Sequence, residues 1–257
     1  MATAFVETAG NSLAYTDQGS GPAVVIVHGV GGHKEDWAAV AAALAPHRRV
    51  LSIDMLGFGE STKHGDNLSI PVQAQAIVAL LDALGIDRAD IVGNSVGGWV
   101  AATFAANHGD RIGKLILIDA AGFKAMFEGE PPVNFDPGTV DEMQAMVNIV
   151  INSPIAQTPG FAARALDTYI TSGEKAVSGV WGASIYGSPR LEDVLPRITA
   201  PTLVLWGEDD RLFPSLLCGV FASMVPGATS QLIPGAGHFP QIDQPEATIA
   251  AISSFLV

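Results

Sequence analysis

Short apolar runs, rich in β-branched residues, recur along the chain, and longer alanine-rich stretches with helical spacing lie between them. The runs are Ala23–Val27, Val50–Asp54, Ala89–Val92, Leu115–Asp119, Thr202–Trp206 and Ser230–Ile233. Their apolar character is continuous rather than alternating, which suits strands covered on both faces, as in a parallel sheet. The intervening stretches Asp36–Ala45, Val72–Leu84, Val96–His108, Ser215–Met224 and Pro245–Leu256 read as helices. Strand and helix in alternation predict an α/β protein with a doubly wound, mostly parallel sheet and right-handed crossovers. Phe5–Val6 and Leu13–Tyr15 predict an antiparallel hairpin entering that sheet, which brings the expected strands to eight.

One interval breaks the rhythm. From Ala121 to Pro196 no segment reads as a strand. Pro131–Pro132, Asp136–Gly138, Pro154, Pro159–Gly160 and Gly187–Pro189 punctuate short helical patterns such as Val140–Val150 and Phe161–Thr171. Structureless connections beyond about 12–15 residues are uncommon in compact domains. The pattern therefore predicts a helical cap, residues 121–196, inserted into a core of residues 1–120 and 197–257.

A chain of 257 residues is long enough to bury roughly 70–75% of the surface its unfolded form exposes. Charged residues make up only 15% against 48% apolar, which argues against disorder. The 13 Lys and Arg against 26 Asp and Glu leave a net charge of −13, a surface that repels nucleic acid and anionic lipid. Met1–Gly10 contains no basic residue of the kind that opens a signal peptide. No apolar stretch approaches the roughly 18 residues of a membrane span. The single cysteine, Cys218, cannot form an internal disulfide, in keeping with a reducing compartment. The expectation is a cytoplasmic protein, monomer or homodimer, without stable membrane insertion.

The segment Asp90-Ile-Val-Gly93-Asn94-Ser95-Val96-Gly97-Gly98-Trp99 runs from strand to helix through G-x-S-x-G. A strand that reverses directly into a helix forces the central residue into strained backbone angles and brings residues two positions either side into contact, so glycines stand there. That strain presents the Ser95 hydroxyl above the sheet. It also places the Val96 N–H at a helix N-terminus, where a developing negative charge is favoured. A Ser-Gly turn that merely caps a helix is the plain alternative. An unassisted serine hydroxyl is a poor nucleophile, so a base must exist.

Six histidines compete for that role. His33, His47, His64 and His108 lie in polar or loop contexts and read as surface residues. His28, in His28-Gly29-Val30-Gly31-Gly32, reads as a hydrogen-bonded structural histidine. His238 sits in a glycine-rich loop between the last strand and the last helix, at the carboxyl end of a strand, where an open parallel sheet gathers reactive groups. An acid should orient the imidazole. Glu208, Asp209 and Asp210 follow a buried strand and all qualify, with Asp119 in reserve.

These motifs together resemble the α/β-hydrolase fold family, in its serine-nucleophile branch. Gly93-Asn-Ser95-Val-Gly97-Gly98, His28-Gly29-Val30-Gly31-Gly32, Asp54-Met-Leu-Gly57-Phe-Gly59-Glu-Ser61, Trp206-Gly207…Asp210…Pro214 and Gly237-His238 fall in that family's order over nearly the whole chain. The resemblance implies Asp210 as the acid, from the pattern G-x-x-D-x-x-x-P, and an oxyanion hole of the Val30 and Val96 N–H groups. It also implies acyl transfer to water, and since no His, Cys or Asp cluster has metal-ligand spacing, no cofactor or metal is expected.

The resemblance divides over the bond cleaved. Leu115-Ile-Leu-Ile-Asp119-Ala-Ala-Gly122 and the cap segment Asp136–Met143 are similar to carboxylesterases and monoacylglycerol-lipase-like enzymes. The Gly93-Asn94-Ser95 elbow is also similar to meta-cleavage-product hydrolases, which cut C–C bonds in vinylogous diketone acids. Those enzymes carry tryptophan where this chain has Phe239, and Ser-Gly-Pro where it has Val30-Gly31-Gly32. They hold the substrate carboxylate with a cap arginine, a role Arg164 would fill here. Two departures against one match favour a small-molecule ester or related carbonyl substrate. A small-molecule receptor with slow turnover is the alternative of a different class. Phe123, Met126, Phe127, Met143, Met146, Ile151 and Trp181 are the apolar cap residues that would line an acyl pocket.

Overall fold

The computed structural model describes residues 2–65, 67–128 and 131–257. Its strands are β1 (Ala4–Thr8), β2 (Asn11–Gly19), β3 (Ala23–Val27), β4 (Arg49–Ile53), β5 (Ala89–Asn94), β6 (Ile112–Ile118), β7 (Thr202–Gly207) and β8 (Thr229–Ile233). They form one eight-stranded sheet in the order β1-β2-β4-β3-β5-β6-β7-β8. β1 and β4 run antiparallel to β2, and every pairing from β4 through β8 is parallel. The hairpin, the parallel strands and the crossovers match the sequence pattern.

The two faces of the sheet bury separate apolar layers, as alternation along a strand requires. Val25, Val27, Leu51, Ile53, Ile91, Leu115 and Leu117 point to one face. There they meet α2 (Ile70–Ala83), α3 (Val96–Asn107) and α8 (Leu217–Met224). Val24, Ile26, Val50, Val92, Ile116, Ile118 and Leu205 point to the other, against α1 (Ala38–Leu44) and α10 (Pro245–Leu256). Each such side chain contributes about 1.5–3 kcal/mol when fully buried. β8 differs because it lies at the sheet edge, and of Thr229-Ser-Gln-Leu-Ile233 only Ile233 is buried.

Between β6 and β7 the described residues form no strand. They form α4 (Val140–Val150), α5 (Phe161–Thr171), α6 (Glu174–Tyr186) and the short α7 (Leu191–Val194). A capping box starts α4, with Thr139 Oγ1 accepting from the Glu142 N–H at 3.2 Å and the Glu142 carboxylate accepting from the Thr139 N–H at 3.1 Å. Met143, Val147, Val150, Ile151, Ala162 and Leu166 make a small cluster of their own. Trp181 ties α6 to the core, donating from Nε1 to the Leu56 carbonyl at 3.1 Å and packing edge-on against Phe58. A last short helix, α9 (Pro240–Asp243), precedes α10.

Three helix starts differ from the sequence reading, and α2 begins at Ile70, two residues before Val72. Asp36 lies in a 3-10 turn, Lys34–Trp37, and α1 proper begins at Ala38. Pro214 and Ser215 take the first turn before α8, where their carbonyls accept the Leu217 and Cys218 N–H groups at 3.0 and 3.1 Å. Among the described residues no helix is long and apolar enough to cross a membrane.

Candidate active site

Ser95 is the single residue between β5 and α3, with φ 55° and ψ −122°. Such a conformation costs a side-chain-bearing residue about 1–3 kcal/mol and persists only where its surroundings enforce it. Here the Ser95 N–H donates to the Ile118 carbonyl at 2.8 Å, and the Ser95 carbonyl accepts from the N–H groups of Gly98, Trp99 and Ala121 at 2.9–3.2 Å. The glycine spacing has a direct cause. A Cβ on Gly93 would strike the Gly97 carbonyl, and one on Gly97 would strike the carbonyls of Val27 and His28.

His238 lies in the loop between β8 and α9, almost wholly buried. Its Nδ1 is 2.9 Å from Asp210 Oδ2. The other Asp210 oxygen accepts from the Leu212 and Phe213 N–H groups at 2.8 and 3.1 Å, so three donors hold this carboxylate. His238 Nε2 is buried and has no hydrogen-bond partner among the described residues. The loop is tied to the serine turn, since Asn94 Nδ2 donates to the His238 carbonyl at 3.1 Å and to the Ile118 carbonyl at 3.1 Å. Asn94 as a strut between the two loops is a feature the sequence motif does not reveal.

The Val30 loop lies directly over the serine, because a Cβ on Gly29 would sit 2.8 Å from Ser95 Cβ. Neither the Val30 nor the Val96 N–H has an acceptor among the described residues. The first belongs to a loop closed by the Gly32 N–H on the Gly29 carbonyl, 3.1 Å, and the second starts α3. His28 has both ring nitrogens engaged, Nδ1 with the Gly29 carbonyl at 2.7 Å and Nε2 with the Met55 N–H at 3.0 Å. Burial lowers its pKa, so it stays neutral, with no free nitrogen to take a proton.

His33 is not the plain surface residue its context suggests. Its Nε2 lies 2.8 Å from the carboxylate of Glu174, which is buried at the start of α6. Burial alone would lower its pKa, but the hydrogen bond and charge of Glu174 outweigh this and raise it.

Asp119 follows β6 directly and has φ 45°. Its Oδ1 accepts from the Gly207 N–H at 2.8 Å, while Oδ2 is buried without a partner among the described residues. Donor atoms of Asp119, Asp210 and His238 converge within 4.8 Å, close enough to consider a metal. The 2.9 Å Nδ1–Oδ2 hydrogen bond already commits two of the three groups to each other, a donor set suited to holding a proton.

The candidate lining residues divide. Phe123 stacks on Phe221 with centroids 4.5 Å apart, Phe127 packs on Trp99 at 5.6 Å, and Met126 also packs against the main core. Met146 and Phe239 pack with the cap cluster, the Phe239 ring 5.4 Å from that of His238. Trp181 is spent on joining the cap to Leu56 and Phe58. Arg164 is not brought to the site. It is exposed on α5 and donates to the Pro159 carbonyl at 3.3 Å, because α5 buries Ala162 and Leu166 and residue 164 falls on the opposite face. The arginine of the β6–β7 segment that packs against the helix behind Ser95 is Arg190. Its guanidinium lies 4.1 Å from the Phe127 ring centroid and 5.3 Å from that of Trp99, and Nη1 is buried without a partner among the described residues.

With Ser95 at 6% and His238 at 1% exposure, the site is closed. Hollows of about 350 and 400 Å³ lie elsewhere, one at the amino ends of the strands by Asp90 and Lys114, the other beside Ser69 and Ser184. Neither is lined by Ser95 or His238, so they bear on the surface and not on this chemistry.

The fold and the serine turn define a class: the chain belongs to the alpha/beta hydrolase family, whose profile matches residues 24–251. Within it, the chain is 28% identical over 268 residues to the 2-hydroxy-6-oxo-6-(2'-aminophenyl)hexa-2,4-dienoic acid hydrolase of Metapseudomonas resinovorans, covering 98% of this chain and 90% of that protein. It is 30% identical to the 2-hydroxy-6-oxononadienedioate/2-hydroxy-6-oxononatrienedioate hydrolase of Paraburkholderia xenovorans, over 95% of this chain and 90% of that one. Among solved structures, a thermophilic esterase from Thermogutta terrifontis superposes with a TM-score of 0.83 at 27% identity, covering 100% of this chain and 98% of its own.

Proposed function

We propose that the protein is a serine hydrolase of carboxylic esters with small or medium acyl groups, working through an acyl-enzyme, with residues 121–196 as its cap. His238 Nε2 takes the Ser95 Oγ proton as the oxygen attacks the substrate carbonyl. Asp210 holds the imidazole in the tautomer that leaves Nε2 free and stabilises the imidazolium. The Val30 and Val96 N–H groups receive the oxyanion, where losing one such donor typically costs about 2.7–4 kcal/mol of transition-state stabilisation. The imidazolium then protonates the departing alkoxide, and the same base activates the water that releases the acid.

The observation that carries this reading is the buried His238 Nε2, without a partner among the described residues, backed by Asp210 and hydrogen-bonded through its own loop to the residue before Ser95. Turnover of p-nitrophenyl esters tests it. Fast hydrolysis that disappears in Ser95→Ala supports the reading, while tight binding with negligible turnover supports a receptor.

Arg190 favours a second reading. A half-buried guanidinium with a free Nη1, packed on Trp99 one helical turn from Ser95, suits a substrate carboxylate. Several relatives are named as hydrolases of dienoic or dienedioic acids. On this reading Ser95 and His238 serve C–C cleavage of a vinylogous diketone acid. A ring-fission diketone acid turned over with a higher kcat/KM than any ester, with Arg190→Gln raising KM for the acid alone, would decide for it.

A further inference from the structure

We infer that Asp119 is a positioning residue of this site: its protonated carboxyl donates from Oδ2 to the Asp210 carboxylate, so that His238 is backed by two carboxyl groups sharing one negative charge. The inference rests on the reading of His238 and Asp210 as base and acid.

The geometry comes first. Asp119 is wholly buried, and its donor atoms lie within 4.8 Å of those of Asp210 and His238. Its Oδ1 accepts the Gly207 N–H, as the carbonyl oxygen of a neutral carboxyl would, and its Oδ2 is the oxygen left without a partner. A buried hydroxyl needs an acceptor, and the nearby carboxylate of Asp210 is one.

Buried carboxyl groups within 4.8 Å of each other disfavour each other's ionisation. The surroundings decide which keeps the proton. Asp210 has three hydrogen-bond donors, the Leu212 and Phe213 amides and the His238 ring, whereas Asp119 has one. Burial first, and then the charge of Asp210, push the Asp119 carboxyl well above the usual carboxylate range. The titratable groups facing it are Asp210 from the loop after β7, His238 and Asp243 from the segment after β8, and Cys218 from α8.

The backbone points to the same place. The described residues other than glycine with positive φ are Ala9, Ser95 and Asp119. Ala9 sits in the β1–β2 turn, while Ser95 follows β5 and Asp119 follows the neighbouring strand β6. The Ser95 N–H donates to Ile118, and the Asp119 N–H donates to Leu205 on β7 at 3.1 Å. Strain at residue 119 is thus maintained beside the reacting serine. The proposed hydrogen bond would orient the Asp210 carboxylate so that it supports the imidazolium.

The experiment compares Asp119→Asn and Asp119→Ala with the parent enzyme in ester turnover, pH–rate profile and thermal unfolding. Asparagine keeps an acceptor for Gly207 and a donor for Asp210. We expect kcat within about threefold of the parent and an unmoved acid limb. Alanine removes the donor. We expect kcat to fall by about tenfold or more at unchanged KM, with the acid limb rising by about half a unit to one unit as Asp210 becomes more basic. An acid limb that drops by about one unit in Asp119→Asn would overturn the proposal, because it would mean an ionised carboxyl had been removed. Equal losses in both variants, or none in Asp119→Ala, would overturn it as well. Should the alanine variant fail to fold, the asparagine profile decides alone. Turnover that survives in Ser95→Ala brings down the underlying reading instead, a result no Asp119 variant mimics.

Discussion

The sheet and the helices between β6 and β7 bury apolar residues by the same rule but with different redundancy. Every residue of β3 and β5 is buried, with apolar layers on both faces. The inserted helices have a cluster of their own about one helix pair in size, and single polar side chains tie them to the rest: Trp181 to Leu56, Glu174 to His33 and Gly59, Ser184 to Leu68, Ser188 to Ile70, and Asp243 to Asn152 and Ser153. The proposed reacting groups stand on the redundant part, at the ends of β5, β7 and β8. The candidate lining and Arg190 stand largely on the other. Chemistry needs positions fixed to about half an ångström, whereas a pocket that admits and releases substrate needs a cover that can move.

Substitutions that break this contrast rank from the sheet outwards. Asp210→Asn, which leaves packing intact but removes the charge behind His238, is expected to lower kcat by about 10⁴-fold. The neighbouring Asp209→Asn is expected to change kcat by less than about threefold, and the reverse order would move the acid. Trp181→Ala removes a buried ring and the hydrogen bond to Leu56, and is expected to cost about 3–5 kcal/mol in urea unfolding. If the cap is only loosely coupled, that loss falls on KM and on a separate early transition, with kcat on small esters preserved.

The tie between Glu174 and His33 gives a pH signature. Pairing with Glu174 raises the pKa of His33 in the folded protein above its ordinary value of 6.5. Its contribution is therefore complete below that value and fades as pH rises through the higher folded pKa. Hydrogen exchange of α6 amides is expected to quicken across that window, and His33→Gln is expected to flatten the response. A flat parent profile would place the hold of α6 in Trp181, Ser184 and the Gly59 contact of Glu174.

Much of the core was legible because its signals are local. A continuous apolar run sets each central strand, and G-x-S-x-G at the end of one places Ser95 without knowledge of its neighbours. β8 was read as the run Ser230–Ile233, of which the structure buries only Ile233, since an edge strand needs few apolar residues. The helix α6 has no comparable signal. Gly179, Gly182 and two serines interrupt Glu174–Tyr186, which is helical through contacts with Leu56 and Phe58 on the core. Arg190 was passed over for Arg164 because a cap arginine can be recognised only by the face it occupies. Asp119 could be noted as a carboxylate at a strand end. Its approach to Asp210 depends on β6 pairing with β7, where Ile118 faces Leu205, and sequence spacing carries no trace of that register.

The central claim is that Ser95 is the nucleophile and His238 its base. Mapping the adduct of a fluorophosphonate probe by peptide mass spectrometry tests it most directly. The account predicts one modified residue, Ser95, with labelling that slows by orders of magnitude in His238→Ala. Modification at another residue, or labelling of Ser95 at full speed without His238, would contradict it.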